Sequence, residues 1–503
     1  MTFTTVFLLL LGGFLLVLFL EGARAYRATT TREDWYVGGR RIGAWAGGAS
    51  IAATQMSAGT FVGTVGIHYL TGAAFMWGWL GIWTAFLVAA YVIAPRLRRY
   101  AHETGALTFP DFIADRFGGK LPRAVVSVLL VLSYLVFMSA QYQAGGVILQ
   151  AAFGIPFTWG AVILMVLVVC YTLVGGMTAV VRTDFLQQMI MALGVVVAVP
   201  VVIANAGGPS SLAASLPAAA EDFTGWGFGF AEISGFWLGF GFAALCAPYL
   251  LLRFYAMPDD RTCRRASGVA LLFVLITGIC VGILGMVMRV LYPNLSVPDA
   301  ASTLLASEVL PPFLGALLLS AVVMAVLSTV DSVLLVAGPA ISHDVYWALL
   351  RPDASERTRA RVTQVATVVI GALPIVLTTL ELDIVQFVVL SYAALLGSTI
   401  TAPVLLGLFW RSATRVGAVC SMVAGFTVCL ACYALDLEVV EPVVPGVLAG
   451  FAGMVVGSLL STPRPPDELT AFFGPVEPED PRGGGSDQGS DQGSDQHPRK
   501  VVT

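Results

Sequence analysis

Apolar residues run through this chain in blocks of about 20, the length of α-helix that crosses the hydrocarbon core of a bilayer. Thirteen such blocks can be drawn, at 6–22, 42–69, 72–94, 125–152, 158–173, 184–204, 233–252, 266–292, 312–340, 362–380, 384–410, 416–435 and 443–460. The connectors between them are short and polar, and nothing from Ile42 to Trp410 has the pattern of a soluble domain. The expected organisation is a first span and loop over 1–41, a core over 42–410, two further spans over 411–461 and a tail over 462–503. In that tail the prolines of 463–466 lead into three Gly-Ser-Asp-Gln repeats, starting at Gly485, Gly489 and Gly493. Such a segment buries too little apolar surface to offset the entropy of ordering, so disorder is expected.

Composition sharpens this to a polytopic all-α membrane protein. Of 503 residues 57% are apolar and 12% charged, and the mean hydropathy is +0.85, well outside the range of water-soluble domains. The bilayer is therefore the expected partner, and nucleic acid is not. Lys and Arg accumulate on the cytoplasmic side of membrane proteins. With an outside N-terminus and a cytoplasmic C-terminus, every Lys and Arg except Arg289 falls inside, including Arg253 in a loop from Arg253 to Arg265. The expected location is the cytoplasmic membrane, crossed many times. Ala23-Arg24-Ala25 has the look of a signal-peptidase site, but Met1 to Thr5 lacks the basic leader such a signal requires, so the first span is expected to be retained.

Six of the seven cysteines, Cys170, Cys246, Cys280, Cys420, Cys429 and Cys432, lie within spans and read as small apolar fillers. The four histidines are scattered, at His68, His102, His343 and His497, and no metal or hydrolytic cluster emerges. No nucleophile, base and orienting group can be assembled, so an enzyme is not expected.

Transporters are commonly built from two inverted repeats whose first helices are interrupted at mid-membrane. Spans two to six (42–204) and seven to eleven (231–410) give five helices each, on either side of a long loop containing Glu221 and Asp222. Ala53 to Gly59 in span two and Gly239 to Pro248 in span seven are corresponding candidate interruptions; small residues also serve simple helix packing. Span nine carries Ser328, Thr329, Asp331 and Ser332. Hydroxyl oxygens beside carbonyls released by an unwound helix would make a site for a hard cation such as sodium. The alternative is that both hydroxyls bond back one turn along their own helix. Asp184 follows Gly175-Gly176 and Arg182, where Thr183 or Asp184 could cap the sixth span or draw a cation inward. Charge at membrane depth is costly and marks function.

Gly175, Gly176, Ala179, Val180, Thr183, Asp184 and Gln187, with Ala325, Ser328, Thr329, Asp331, Ser332 and Leu335, resemble the two signature patterns of the sodium:solute symporter family. Tyr36 to Gly43, Thr108 to Phe117 and Pro248 to Phe254 add supporting phrases, so the resemblance covers Tyr36 to Trp410. It implies 13 transmembrane helices around a LeuT-like five-plus-five inverted-repeat core, and symport of a small organic solute, an organic acid or amino acid, with sodium by alternating access. No cofactor is implied beyond sodium as coupling ion. The sodium site carried over is the backbone oxygens of Ala53, Met56 and Ala325 with the hydroxyls of Ser328 and Thr329. Asp184 matches the carboxylate the family places along the inner sodium path, and Asp331 is a further candidate for the ion pathway.

The pantothenate and proline branch is nearest in appearance, yet Gln55 stands where proline carriers have Asp, and Tyr249 follows Pro248 where the family often has His. Between the interruptions the solute would meet Gln55, Ser57, Thr60, Gln141, Tyr142, Gln143, Trp237, Phe240, Tyr392 and Ser398. No Lys or Arg is expected at mid-membrane to hold a carboxylate. Rival readings are a proton-coupled symporter of the same fold and a solute-sensing membrane module.

Overall fold

A computed structural model describes residues 2–173, 176–219, 223–225, 227, 229–379, 385–435 and 441–474. The chain begins with α1 (Phe3–Ala28), α2 (Arg32–Val37), α3 (Ala44–Gln55), α4 (Thr64–Thr71), α5 (Met76–Val88), α6 (Ala94–Thr104), α7 (Phe109–Phe117) and α8 (Lys120–Phe153). It continues as α9 (Phe157–Thr172), α10 (Met177–Asn205), α11 (Pro209–Ser215), α12 (Phe230–Cys246), α13 (Pro248–Tyr255), α14 (Asp260–Leu291), α15 (Ala300–Leu304) and α16 (Pro312–Pro339). The remainder is α17 (Glu356–Ala372), α18 (Pro374–Thr378), α19 (Val385–Phe409), α20 (Arg415–Ala434), α21 (Val443–Leu459) and α22 (Thr470–Phe473). Among the described residues there is no strand, and ten helices are long and apolar enough to cross a membrane; α9 and α21 are shorter apolar helices.

Helix starts follow local chemistry. Thr31 and Thr108 form capping boxes with Asp34 and Asp111. Asp259, Ser355 and Thr414 cap α14, α17 and α20 through their side chains. Each satisfies an amide the first turn would otherwise leave bare. These caps share one end of the bundle with most arginines: Arg98 pairs with Asp260 at 2.5 Å, Arg123 with Asp111 and Asp344 at 2.7 Å, and Arg116 donates to Trp410 O at 2.7 Å. At the opposite end Tyr69 donates to Tyr292 O at 2.7 Å and Asn205 to Val309 O at 2.7 Å.

Two spans are broken, and both breaks are local. In the first, Met56 is extended (φ −79, ψ 99) at the end of α3, and helix resumes through a wide turn at Gly59–Gly63 into α4. In the second, Ala247 (φ −57, ψ 119) separates α12 from α13 because Pro248 has no N–H to donate and pushes its predecessor out of helical geometry. Between the breaks runs α16, buried from Gly315 to Pro339 and apolar apart from Ser320, Ser328, Thr329, Asp331 and Ser332, as expected of a helix at the bundle's centre.

Three expectations need correction. The sixth span begins at Met177 rather than Asp184, with Gly176 as its N-cap. Thr183 and Asp184 are therefore the seventh and eighth residues of the helix, on its buried face; Thr183 bonds back to Ala179 O and Val180 O, and neither residue caps the helix. Residues 462–474 are folded: Leu469 is buried, Phe472 stacks on Tyr100 at 4.8 Å, and the Arg116 guanidinium lies 5.3 Å from the Phe473 ring. Aromatic partners supply what the proline-rich composition lacks. Arg253 is not in a loop but within α13, with its side chain fully buried. Gly175, Glu221, Asp222 and the tail from Pro475 lie outside the described residues.

Candidate functional site

The interruption after α3 frees a consecutive set of carbonyls. In an unbroken helix the oxygens of Ala53, Thr54, Gln55 and Met56 would accept from the amides of Ser57, Ala58, Gly59 and Thr60. Here Ser57 N–H donates to Thr60 Oγ1 at 3.2 Å, Ala58 N–H to Gln141 Oε1 at 2.8 Å, Gly59 N–H to Ser57 Oγ at 3.1 Å and Thr60 N–H to Ser57 O at 2.9 Å. The donors are satisfied elsewhere, leaving the four carbonyls for other partners.

The centre of α16 faces those carbonyls. Ser328 Oγ donates to Ala53 O at 2.9 Å and to Ala325 O at 3.1 Å; Thr329 Oγ1 lies 3.3 Å from Thr54 O and 3.4 Å from Met56 O. All six residues are buried. The five expected sodium ligands are thus brought together, with Thr54 as an added oxygen. Only Ser328 bonds back along its own helix, and it reaches across to α3 as well. Oxygen-only, buried and drawn from two elements, the cluster is suited to a hard monovalent cation.

Towards the arginine-rich end, α13 contributes a charge the sequence reading had not placed at this depth. Arg253 Nη2 lies 3.2 Å from Asp184 Oδ2, 2.8 Å from Thr54 Oγ1 and 2.5 Å from Ser332 Oγ. Its Nε donates to Ser50 Oγ at 3.2 Å, and Nη1 donates to the Tyr249 carbonyl. Ser50 also donates to Asp184 Oδ2 at 2.5 Å, and Ser332 to Asp331 Oδ1 at 3.2 Å. Asp184 Oδ1 and Asp331 Oδ2 have no hydrogen-bond partner among the described residues. Two carboxylates and one guanidinium thus sit one turn of α3 from the cation cradle. The Pro248 to Phe254 phrase contained the arginine; what it could not reveal was that the helix break turns α13 inward.

A small cavity of about 40 Å3 lies on the other side of the cradle. Of the expected solute-facing residues, Gln55, Ser57, Thr60, Phe240 and Tyr392 line it, joined by Phe75, Trp79, Phe137, Tyr249 and Gln386. Phe137 stacks on Tyr392 at 4.0 Å, and the Gln55 Oε1 is unpartnered. At little more than one water's share of liquid volume, the space must widen to admit a solute. Gln141, Tyr142, Gln143, Trp237 and Ser398 are not in its lining. Gln141 instead caps the broken helix, Tyr142 donates to Gly371 O at 2.7 Å, and Gln143 is half-buried one residue on. Trp237 is 43% exposed, and Ser398 abuts Gly446 of α21. For Gln141, Tyr142 and Gln143 helical spacing explains the difference, since adjacent residues of α8 point to different neighbours.

A larger cavity of about 510 Å3, lined by Arg32, Trp35, Tyr36, His343, Trp347 and Arg359 among others, opens at the arginine-rich end away from the cradle. Nearby, Asp111, His343 and Asp344 come close enough to suggest a metal site. Arg123 already occupies that position, 2.7 Å from both carboxylates. Burial pushes the Asp111 carboxyl up, but its neighbours His343 and Arg123 and the amides of Leu107 and Thr108 together outweigh it and hold it below its ordinary value. The cluster is an ion pair joining α7 and α8 to the helical segment Ala340–Leu350 that follows α16.

Comparison with known proteins agrees with this architecture. The model of the sodium:solute symporter family matches residues 35–425. The osmoregulated proline transporter OpuE of Bacillus subtilis is 27% identical over 483 residues, covering 93% of this chain and 97% of that protein. A sodium/proline symporter of Staphylococcus aureus is 28% identical over 432 residues, covering 83% and 84%. Among solved structures, a Na+-coupled sialic acid symporter in a substrate-bound outward-open state superposes with a TM-score of 0.80 at 21% identity, over 91% of this chain and 98% of that one. MhsT in complex with L-phenylalanine superposes at 0.52 and 14% identity, over 84% and 98%. The fold is LeuT-like.

Proposed function

The chain belongs to the sodium:solute symporter family, which makes it a membrane-spanning, sodium-coupled symporter and not an enzyme, and from that premise we propose which residues hold the ion and what it carries. Sodium binds between the carbonyls of Ala53, Met56 and Ala325 and the hydroxyls of Ser328 and Thr329. The observation that carries this is the reach of both hydroxyls of α16 to the carbonyls freed at the α3 break. Asp184 and Asp331 stand on the route from cradle to cytoplasm. The N-terminus is outside, and the arginine-rich end faces the cytoplasm across the cell membrane. The core spans 42–410 as two five-helix repeats.

The solute is a small organic acid or amino acid held in the cavity beside Gln55, Ser57, Thr60, Phe240 and Tyr392. The relatives named for proline support proline as the first probe. The cavity's amides, hydroxyls and aromatic faces suit a compact solute with few charges, and its carboxylate would be met by sodium and amide donors. Arg253 is committed to Asp184 and three hydroxyls, so it is not free to hold that carboxylate. Sodium favours the conformation whose cytoplasmic side is closed, solute binding permits closure of the outer side, and loss of the ion past Asp184 opens the inner side.

The test is accumulation of labelled proline, then of other amino acids and monocarboxylates, in proteoliposomes under an inward sodium gradient. Sodium-driven accumulation of one of them is expected. Uptake driven by a pH gradient in sodium-free buffer would replace this reading with proton coupling, and binding without accumulation would replace it with a sensor.

A further inference from the structure

Arg253 has no assigned part in moving sodium or solute, yet its side chain ties the two broken spans together. α13 is only eight residues long and is cut off from α12 at Ala247. Through Arg253 it reaches Ser50 and Thr54 on α3, Asp184 on α10 and Ser332 on α16. Thr54 is the junction: its carbonyl accepts from Thr329 in the cradle, while its hydroxyl accepts from Arg253. A shift of α3 on losing the ion is therefore felt at the guanidinium.

We propose that Arg253 is the positioning residue that ties α13 to the sodium cradle, so that loss of sodium releases the inner half of the second broken span. This rests on the sodium site proposed above. A guanidinium suits the task because its planar fork holds several acceptors at once in fixed geometry. With Asp184 it forms an ion pair that cannot be pulled apart without leaving buried charge exposed or hydrated. Opening of the cytoplasmic side thus waits on the rearrangement of Thr54 that accompanies ion release. Coupling then lies in a link between elements and needs no solute contact.

Hydrogen exchange read by mass spectrometry on the full chain in nanodiscs tests this without knowledge of the solute. Sodium, against potassium, should slow amide exchange in α3 and α16, and also in α13, by about 5- to 150-fold, the range of typical couplings between linked sites. In R253Q, α3 and α16 should still respond while residues 249–255 do not, and R253K, which keeps the charge, should restore part of the response. If R253Q fails to fold, R253Q/D184N removes both charges together and makes the same comparison. Full sodium protection of 249–255 in either neutral variant, no restoration in R253K, or an α13 indifferent to sodium in the unaltered protein overturns the proposal. No response in α3 and α16 of the unaltered protein overturns instead the sodium site on which it rests.

Discussion

Replacing Ser328 by Ala deletes one hydroxyl from the cradle and leaves Ala53 O without its 2.9 Å donor, while Ala325 O keeps its helical partner. A polar contact to a charged partner contributes about 1.5–3 kcal/mol, so sodium binding should weaken about 10- to 150-fold. At a sodium concentration one hundred times the original dissociation constant, binding stabilises the unaltered protein by about 2.7 kcal/mol, and the variant by only about 0.3–1.4 kcal/mol. In potassium, where the cradle holds no sodium, the variant should be destabilised by about 1–3 kcal/mol for the orphaned carbonyl. Thermal unfolding of detergent-purified protein, titrated with sodium at constant ionic strength, reads both numbers and requires no solute. A variant that remains folded and gains as much from sodium as the original would refute the argument that Ser328 is a ligand.

Other predictions concern the cavity, the packing and the arginine-rich end. Gln55→Ala removes the unpartnered carbonyl oxygen facing the cavity; the solute's KM should rise about tenfold, as for loss of one hydrogen bond worth about 1.4 kcal/mol, with the sodium requirement retained in a transport assay. Gly81→Ala would set its new methyl 2.3 Å from Trp237 O where α5 packs on α12, and should lower stability by about 1–3 kcal/mol in thermal unfolding. The Asp34 carboxyl is held below its ordinary value of 3.8, chiefly by the Thr31 hydroxyl. Its contribution to the order of 31–41 should therefore be complete above that value and fade as pH falls through the lower folded-state value. The protection factors of this segment, exchange corrected for the intrinsic pH dependence of amide exchange, should fall in acid, and D34N should flatten the dependence.

Much of this was readable from the chain because bilayer and helix impose strict patterns. The spans follow from apolar run length alone, and Pro248 announces its own helix break. The Ser328-Thr329 pair was visible as hydroxyls in an otherwise apolar helix, and its partners on α3 came from a family likeness that spacing alone could not supply. Arg253 was misread because charge statistics treat every arginine near a span's end as interfacial; an ion pair to Asp184, 69 residues earlier in the chain, leaves no local signal. Five of the expected solute-facing residues do not line the cavity, for a related reason. Gln141 is polar, buried and close to the break, but its amide oxygen is taken by Ala58 N–H. Residue type reports that a polar group needs a partner, not which partner the tertiary fold provides. Phe472 and Phe473 show the converse, two aromatic residues in a proline-rich tail that find stacking partners on Tyr100 and Arg116.

Binding of radiolabelled sodium to the purified protein, beside the S328A/T329A variant at matched folded concentration, bears most directly on the cradle. Saturable binding displaced by unlabelled sodium and not by potassium, and lost in the double variant, is the expected result. Equal affinity in the two proteins would contradict it.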